Sequence, residues 1–332
     1  MSFKYSHNNL MLIFLLSLSL SQLDPRNILD REEITSIKYY GKKLTNQKDL
    51  ECSPKNYNNH PDWLASVSGS KFIHELSLPG THETCARIGG PGVACQDLSV
   101  YDQLVFGVRF LDIRCRHIND CFMIHHDSVY QELSFGSGVR DACIQFLKEH
   151  PNEFIYMSVK EEYTAAENTR HFSETMQSYI IDEYFYLKEG TPTLDEVRGK
   201  IVLMRRYDTV VNPQGNKVNF QNDATFTSTT TIVARIQDCY YVGTIFDRSR
   251  KWSNVNNLLT EARANTDKEK LFMNFASGCS IFCYPYSTAQ YITPLVGNYL
   301  ESNPKVFTGC ILFDYINANY GDIVAVMITR NE

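Results

Sequence analysis

The sequence predicts an α/β fold of the TIM-barrel kind, and three observations point to it. Short apolar, β-branched runs alternate with stretches of helical spacing from about residue 61 to the end. Most of these runs end in an ionisable or polar residue, and the carboxyl ends of the strands are where such a barrel carries its active site. An open doubly wound sheet would also alternate, but no glycine-rich phosphate loop follows the first run.

Taken in order, run 72–78 leads to Thr81-His82-Glu83, run 108–111 to Asp112 and Arg114, and run 122–124 to His125-His126-Asp127. Run 154–159 leads to Lys160, run 201–204 to Arg205-Arg206, run 271–275 to Ser277, and run 310–313 to Asp314; 324–328 is a further apolar run. Between them, Val139, Cys143, Phe146 and Leu147 form a helical stripe that His150-Pro151 ends. Stretches 172–186, 255–264 and 294–300 are weaker helical candidates.

Composition bounds the rest. The 332 residues are 43% hydrophobic and 21% charged, enough for one large barrel with a full core. Residues 10–20 are apolar apart from two serines, follow Lys4, and end near Ser19-Leu20-Ser21, so 1–21 reads as a secretory leader cleaved after Ser21. The run is short for a membrane span, an uncleaved anchor being the alternative. Residues 22–60 are a polar extension, packed on the surface or partly disordered, and 61–332 a single catalytic barrel without linker or repeat.

The net charge of −6, with no basic run, excludes nucleic acid as a natural partner. It also leaves no general attraction to anionic membranes, so lipid contact falls to apolar rim residues and a head-group pocket. No protein partner is implied, and a monomer is expected. Ten cysteines in an exported chain suggest disulfides, with Cys85–Cys95, Cys115–Cys121 and Cys279–Cys283 the sequence-close candidates. Zinc is the rival use, weakened by the lack of a CxxC pair or of histidines at finger spacing.

Two histidines carry the chemistry. His82 sits on a tight turn after Pro79-Gly80, and His126 ends a short strand, its neighbour His125 necessarily facing the other way. A pair of imidazoles can act as base and acid in one displacement. Either alone would ordinarily be structural. Asp112 and Arg114 share a strand face, and a guanidinium there can stabilise charge on a phosphoryl group; a purely structural ion pair is the alternative.

Six segments in order then carry a resemblance. Ser77-Leu78-Pro79-Gly80-Thr81-His82, Asp112-Ile113-Arg114-Cys115-Arg116, His125-His126, Met157-Ser158-Val159-Lys160-Glu161-Glu162-Tyr163, Gly199-Lys200-Ile201-Val202-Leu203 and Asp314-Tyr315-Ile316-Asn317 resemble the bacterial phosphatidylinositol-specific phospholipases C from about residue 63 to 317. The resemblance implies a distorted, partly open barrel. It also implies cleavage by internal attack of the inositol 2-hydroxyl, releasing diacylglycerol and inositol 1,2-cyclic phosphate from phosphatidylinositol or a glycosylphosphatidylinositol.

By the same resemblance, His82 is the base, Asp314 its orienting partner, His126 the acid and Arg114 the phosphate ligand. Lys160, Arg206, Asp238 and Tyr240 match inositol-binding positions, the last two in flanks that differ. Glu83 departs from the family's Asp, the acid that supports the second histidine and the arginine; the extra methylene changes its reach. The 85–95 loop belongs on the membrane-facing rim, and Ile281-Phe282 is the candidate apolar wedge, simple burial being the alternative. The calcium-dependent relatives need carboxylates where Arg114 stands, so no metal or other cofactor is expected. Two rivals remain: a barrel phosphodiesterase for another lipid head group, and an inactive lipid-binding barrel.

Overall fold

The computed structural model describes residues 25–44 and 58–332. The expected leader, 1–21, and Cys52 lie outside them. Twelve strands form one curled sheet: β1 (Pro79–Thr81), β2 (Phe110–Ile118), β3 (Cys121–His126), β4 (Val129–Ser134), β5 (Ile155–Glu161), β6 (Phe185–Tyr186), β7 (Ile201–Arg205), β8 (Asn216–Lys217), β9 (Ala224–Thr229), β10 (Val233–Asp238), β11 (Leu271–Phe275) and β12 (Cys310–Phe313). The path runs β6-β7-β5-β2-β1-β12-β11-β10-β9 and is parallel except for its last pair, β10 with β9.

The first and last strands are therefore neighbours, as barrel closure requires, while among the described residues no ladder joins β6 to β9. Side chains reach across that gap: the Lys217 amide donates to Thr231 Oγ1 (2.8 Å) and the Asn219 amide to Ser228 Oγ (2.9 Å). The barrel is thus TIM-like and partly open, in agreement with the sequence.

Two apolar layers follow from strand alternation. Leu78, Phe110, Tyr156, Val202, Ile236, Met273 and Leu312 fill one layer. Leu111, Ile113, Met157, Val159, Leu203, Ile311 and Phe313 pack in the other, against the helices. Those helices include α1 (Pro25–Tyr40), α2 (Val100–Phe106), α3 (Asp141–Glu149), α4 (Phe172–Tyr179), α5 (Leu194–Val197), α6 (Arg248–Arg263), α7 (Pro285–Ser302) and α8 (Ile323–Ile328). Among the described residues no helix is long and apolar enough to cross a membrane.

Several expectations change. Run 72–78 is not a strand: Ile73–Glu75 is a 3₁₀ turn, Ile73, Leu76 and Leu78 are buried, Phe72 makes an isolated bridge to Thr193, and the strand itself is Pro79–Thr81. Gly80, at its centre, lies so close to its neighbours that a Cβ there would stand 3.0 Å from Phe110 Cβ. Run 324–328 is helical. Helix α4 stops at Tyr179, well short of 186. The β9–β10 hairpin carried no clear alternating signal. Within the polar extension, α1 packs on the β3–β4 hairpin through buried Glu32, Thr35 and Ser36; Ser134 Oγ donates to Glu32 Oε2 (2.6 Å) and the Tyr179 hydroxyl to Oε1 (2.9 Å).

The expected disulfides are not formed: the nine described cysteines are free thiols. For one candidate pair the sheet register gives the reason. Cys115 pairs with Ile124 whereas Cys121 pairs with Ile118. The two lie three residues apart along the ladder, about 10 Å, beyond the reach of a disulfide.

Candidate active site

The site is built from residues at or just beyond strand ends. Thr81 of β1 is in register with Phe313 of β12, so the next residues, His82 and Asp314, are side by side. His82 Nδ1 lies 2.8 Å from Asp314 Oδ1, and the His82 amide donates to the Phe313 carbonyl (3.0 Å). With Nδ1–H committed to the carboxylate, Nε2 is the nitrogen left to accept a proton. Burial alone would lower the His82 pKa, but Asp314 more than offsets it and holds the imidazole above its ordinary value.

His126 ends β3, and its Nδ1 donates to the Val93 carbonyl at 2.7 Å, again leaving Nε2 to the site. His125 faces away, between Tyr40 Oη (2.8 Å) and the Asp127 carbonyl (3.2 Å), and burial lowers its pKa to about 4. The non-glycine residues after these strand ends adopt left-handed backbone: Glu83 at φ 42°, Asp127 at 50°, Tyr315 at 47°. Strained turns of this kind gather at functional sites; here each turns the chain immediately after His82, His126 or Asp314.

Arg114 on β2 is in register with Lys160 on β5, and Arg206 follows β7 with its amide bonded to the Val159 carbonyl. Arg114 Nη1 stands 2.7 Å from Glu83 Oε1 and 3.9 Å from Glu162 Oε2, and its Nη2 is 3.1 Å from Asp112 Oδ2. Asp112 also meets Arg206 Nη1 at 3.3 Å. Burial works against the ionised Asp112, but Arg114 and Arg206 overcome it and hold the carboxyl well below its ordinary value. Glu83 Oε1 is 3.7 Å from His126 Nε2, so one acid touches both the guanidinium and the second imidazole.

These groups share a cavity of about 380 Å³. His82, His126, Arg114 and Asp314 line it on one side; Lys160, Arg206, Asp238 and Tyr240 line it as well. Glu83 lies beneath, 2% exposed. Sequence reading brought together all nine, and none is elsewhere. Ile281 and Phe282 are on a turn of the mouth, 78% and 72% exposed, rather than buried.

Four contributors went unread. Glu162 accepts from Lys160 Nζ (2.6 Å) and was findable, because residues two apart on a strand share a face. Phe220 lies 3.5 Å from the Arg206 guanidinium carbon, and nothing in its loop sequence signals that. Lys251 of α6 donates to Gln237 Oε1 (3.1 Å) and to the Cys239 carbonyl (3.0 Å) beneath Asp238, and burial lowers its pKa to about 8. Phe246, 85% exposed, extends the apolar rim beside Ile281: Ser280 donates to the Gly243 carbonyl at 2.8 Å, tying the two loops together.

Comparison with known proteins agrees with the geometry. Residues 87–207 match the family model for the phosphatidylinositol-specific phospholipase C X domain. The chain is 30% identical over 310 residues to the 1-phosphatidylinositol phosphodiesterase of Staphylococcus aureus strain Newman, covering 85% of this chain and 96% of that one. It is 28% identical to the enzyme of the same name from Listeria monocytogenes, over 79% of this chain and 83% of that one. A solved structure of a variant of the S. aureus phosphatidylinositol-specific phospholipase C superposes with a TM-score of 0.75 at 28% identity, covering 82% of this chain and 98% of that one. The corresponding Listeria structure gives 0.68 at 25% identity, over 83% and 100%.

Proposed function

The chain belongs to the phosphatidylinositol-specific phospholipase C family, and on that premise we propose that it cleaves the phosphodiester of phosphatidylinositol, or of a glycosylphosphatidylinositol, by internal attack of the inositol 2-hydroxyl. The observation that carries the reading is the shared cavity in which two imidazoles, each with Nδ1 already bonded, flank one guanidinium.

His82 Nε2 takes the proton from the 2-hydroxyl, and Asp314 stabilises the imidazolium that forms. Arg114 binds the phosphate oxygens and meets the charge that builds on them. His126 gives its proton to the diacylglycerol oxygen as that bond breaks, and Glu83 holds both His126 and Arg114 in place. The nucleophile is part of the substrate, so the attack gains the full benefit of proximity, and the products are diacylglycerol and inositol 1,2-cyclic phosphate. Lys160, Arg206, Asp238 and Tyr240 hold the inositol ring, with Glu162 fixing Lys160. Charged pairs suit vicinal hydroxyls, and a ligand lacking them would forgo those hydrogen bonds.

The exposed turn at Ile281-Phe282 and the Phe246 loop are the surface that enters the bilayer, since an acidic chain has little other attraction to it. The chain acts outside the cell as a single 61–332 barrel and needs no metal; its leader is the support for export.

The test is phosphorus NMR of phosphatidylinositol incubated with the protein in chelator. Inositol 1,2-cyclic phosphate is the expected product. His82→Ala and His126→Ala should each abolish it while circular dichroism and melting stay as in the wild type. Near-full turnover by either variant, or activity only after calcium is restored, would refute the assignment.

A further inference from the structure

Cys95 has no task in the proposed reaction, yet its thiol is packed directly behind the site histidines. It closes the 85–95 loop, its amide donating to the Ala86 carbonyl at 2.8 Å, and it is fully buried. Its Sγ is 3.4 Å from the Val93 carbonyl and 4.0 Å from His126 Nδ1. On its other side are His82 and Asp314. One donor atom each from His82, Cys95 and Asp314 lie within 4.8 Å of one another. Asp314 is 2% exposed, and its second oxygen, Oδ2, has no hydrogen-bond partner among the described residues. A buried carboxylate oxygen left unpaired is costly, and here it belongs to a trio of nitrogen, sulfur and oxygen donors.

We propose that His82, Cys95 and Asp314 form a binding site for a soft or borderline divalent cation such as zinc or cadmium, and that its occupancy silences the enzyme. The donor set selects the ion: a thiolate with an imidazole and a carboxylate suits zinc or cadmium, whereas calcium and magnesium prefer oxygen alone. Donors around tetrahedral zinc stand roughly 3.3–3.5 Å apart, so the widest separation in the trio must close by up to about 1.4 Å, with a fourth position left to water from the cavity. Arg114 nearby does not forbid the ion, because Glu83 and Asp112 already neutralise that guanidinium.

Binding releases the thiol proton; if the ion takes Nδ1 of the neutral ring, the imidazole proton moves to Nε2. Either mode of histidine ligation blocks the reaction. Through Nε2 the ion occupies the lone pair that would accept the 2-hydroxyl proton; through Nδ1 it displaces the bond to Asp314.

The inhibitory part rests on His82 being the base, and the experiment keeps the two claims apart. Full-length protein stripped with chelator is titrated with cadmium chloride while the ultraviolet thiolate-to-metal absorbance is recorded, and phosphatidylinositol turnover is followed in zinc chloride. Wild type, Cys95→Ala, Cys95→Ser and Cys279→Ala are compared, the last controlling for the thiol at the cavity mouth. The expected result is a saturable absorbance and inhibition in the wild type and Cys279→Ala. Cys95→Ala, unaltered in basal turnover, should lack the absorbance and need at least about 100-fold more zinc for the same inhibition. Cys95→Ser guards against a packing artefact and should behave like Cys95→Ala. Calcium should do nothing to any of them. Absence of a Cys95-dependent absorbance would overturn the site. Absorbance without inhibition would keep the site and overturn His82 as base.

Discussion

Replacing Asp314 by Asn tests the proposed base most directly. The wild-type contact is a 2.8 Å hydrogen bond from His82 Nδ1 to a carboxylate 1% exposed at its side chain, and Asp314 is what raises the His82 pKa against burial. A hydrogen bond to an ionised group contributes about 1.5–3 kcal/mol, and the imidazolium that forms during attack depends on it, so its loss alone costs roughly 10- to 150-fold in rate. An amide adds a second cost. If Asn offers its N–H to Nδ1, the imidazole proton moves to Nε2 and the base has no lone pair facing the substrate, which in the serine-protease triad amounts to about 10⁴. The expected fall in kcat therefore lies between about 10²- and 10⁴-fold. The sign of the pH effect follows from the same contact. The base works only when neutral, so activity declines as pH falls through the raised pKa; removing the carboxylate lowers that pKa and moves the acid limb to lower pH. The assay is kcat/KM against pH on a water-soluble phosphatidylinositol analogue, with melting to confirm the fold. A variant within threefold of wild-type rate, with its acid limb unmoved, would refute the reasoning.

Other perturbations have equally definite outcomes. Glu83→Asp restores the acid found in the bacterial pattern but shortens a side chain that meets Arg114 at 2.7 Å, so turnover should drop up to about 100-fold; an unchanged or faster enzyme would sink the claim that Glu83 holds the guanidinium. Ile281→Ser with Phe282→Ser should weaken binding to phosphatidylinositol vesicles by at least about 100-fold, each side chain forfeiting roughly 1.5–3 kcal/mol of insertion, while turnover of a soluble analogue stays the same. His74, 2% exposed and lowered by burial from 6.5 to about 4, stays neutral in the fold but takes a proton when unfolded. Stability is thus fully present above pH 6.5 and falls as pH drops towards 4, by up to about 3 kcal/mol from this residue. Melting temperature in His74→Gln should depend less on pH over that window; an identical dependence would refute it.

What could be read from the chain alone was whatever is local or periodic. Runs 271–275 and 310–313 became β11 and β12 without change, because a buried parallel strand needs only its own apolar residues. His82, Arg114, His126, Lys160, Arg206 and Asp314 were legible because each stands at or just after such a run, and a barrel gathers those ends on one face. The short β1 was not, since its pairing depends on β2 and β12 lying on either side of it, a fact of three chain segments at once. Phe220 against Arg206 and Lys251 under Asp238 were illegible for the same reason: side chains from loop and helix meet strand ends only after closure. Cys95 shows the division most clearly. Its sequence offers a thiol and an even count, which argue for a disulfide; its neighbours His82, His126 and Asp314 come from three other strand ends, and only their register makes it a donor in the active site.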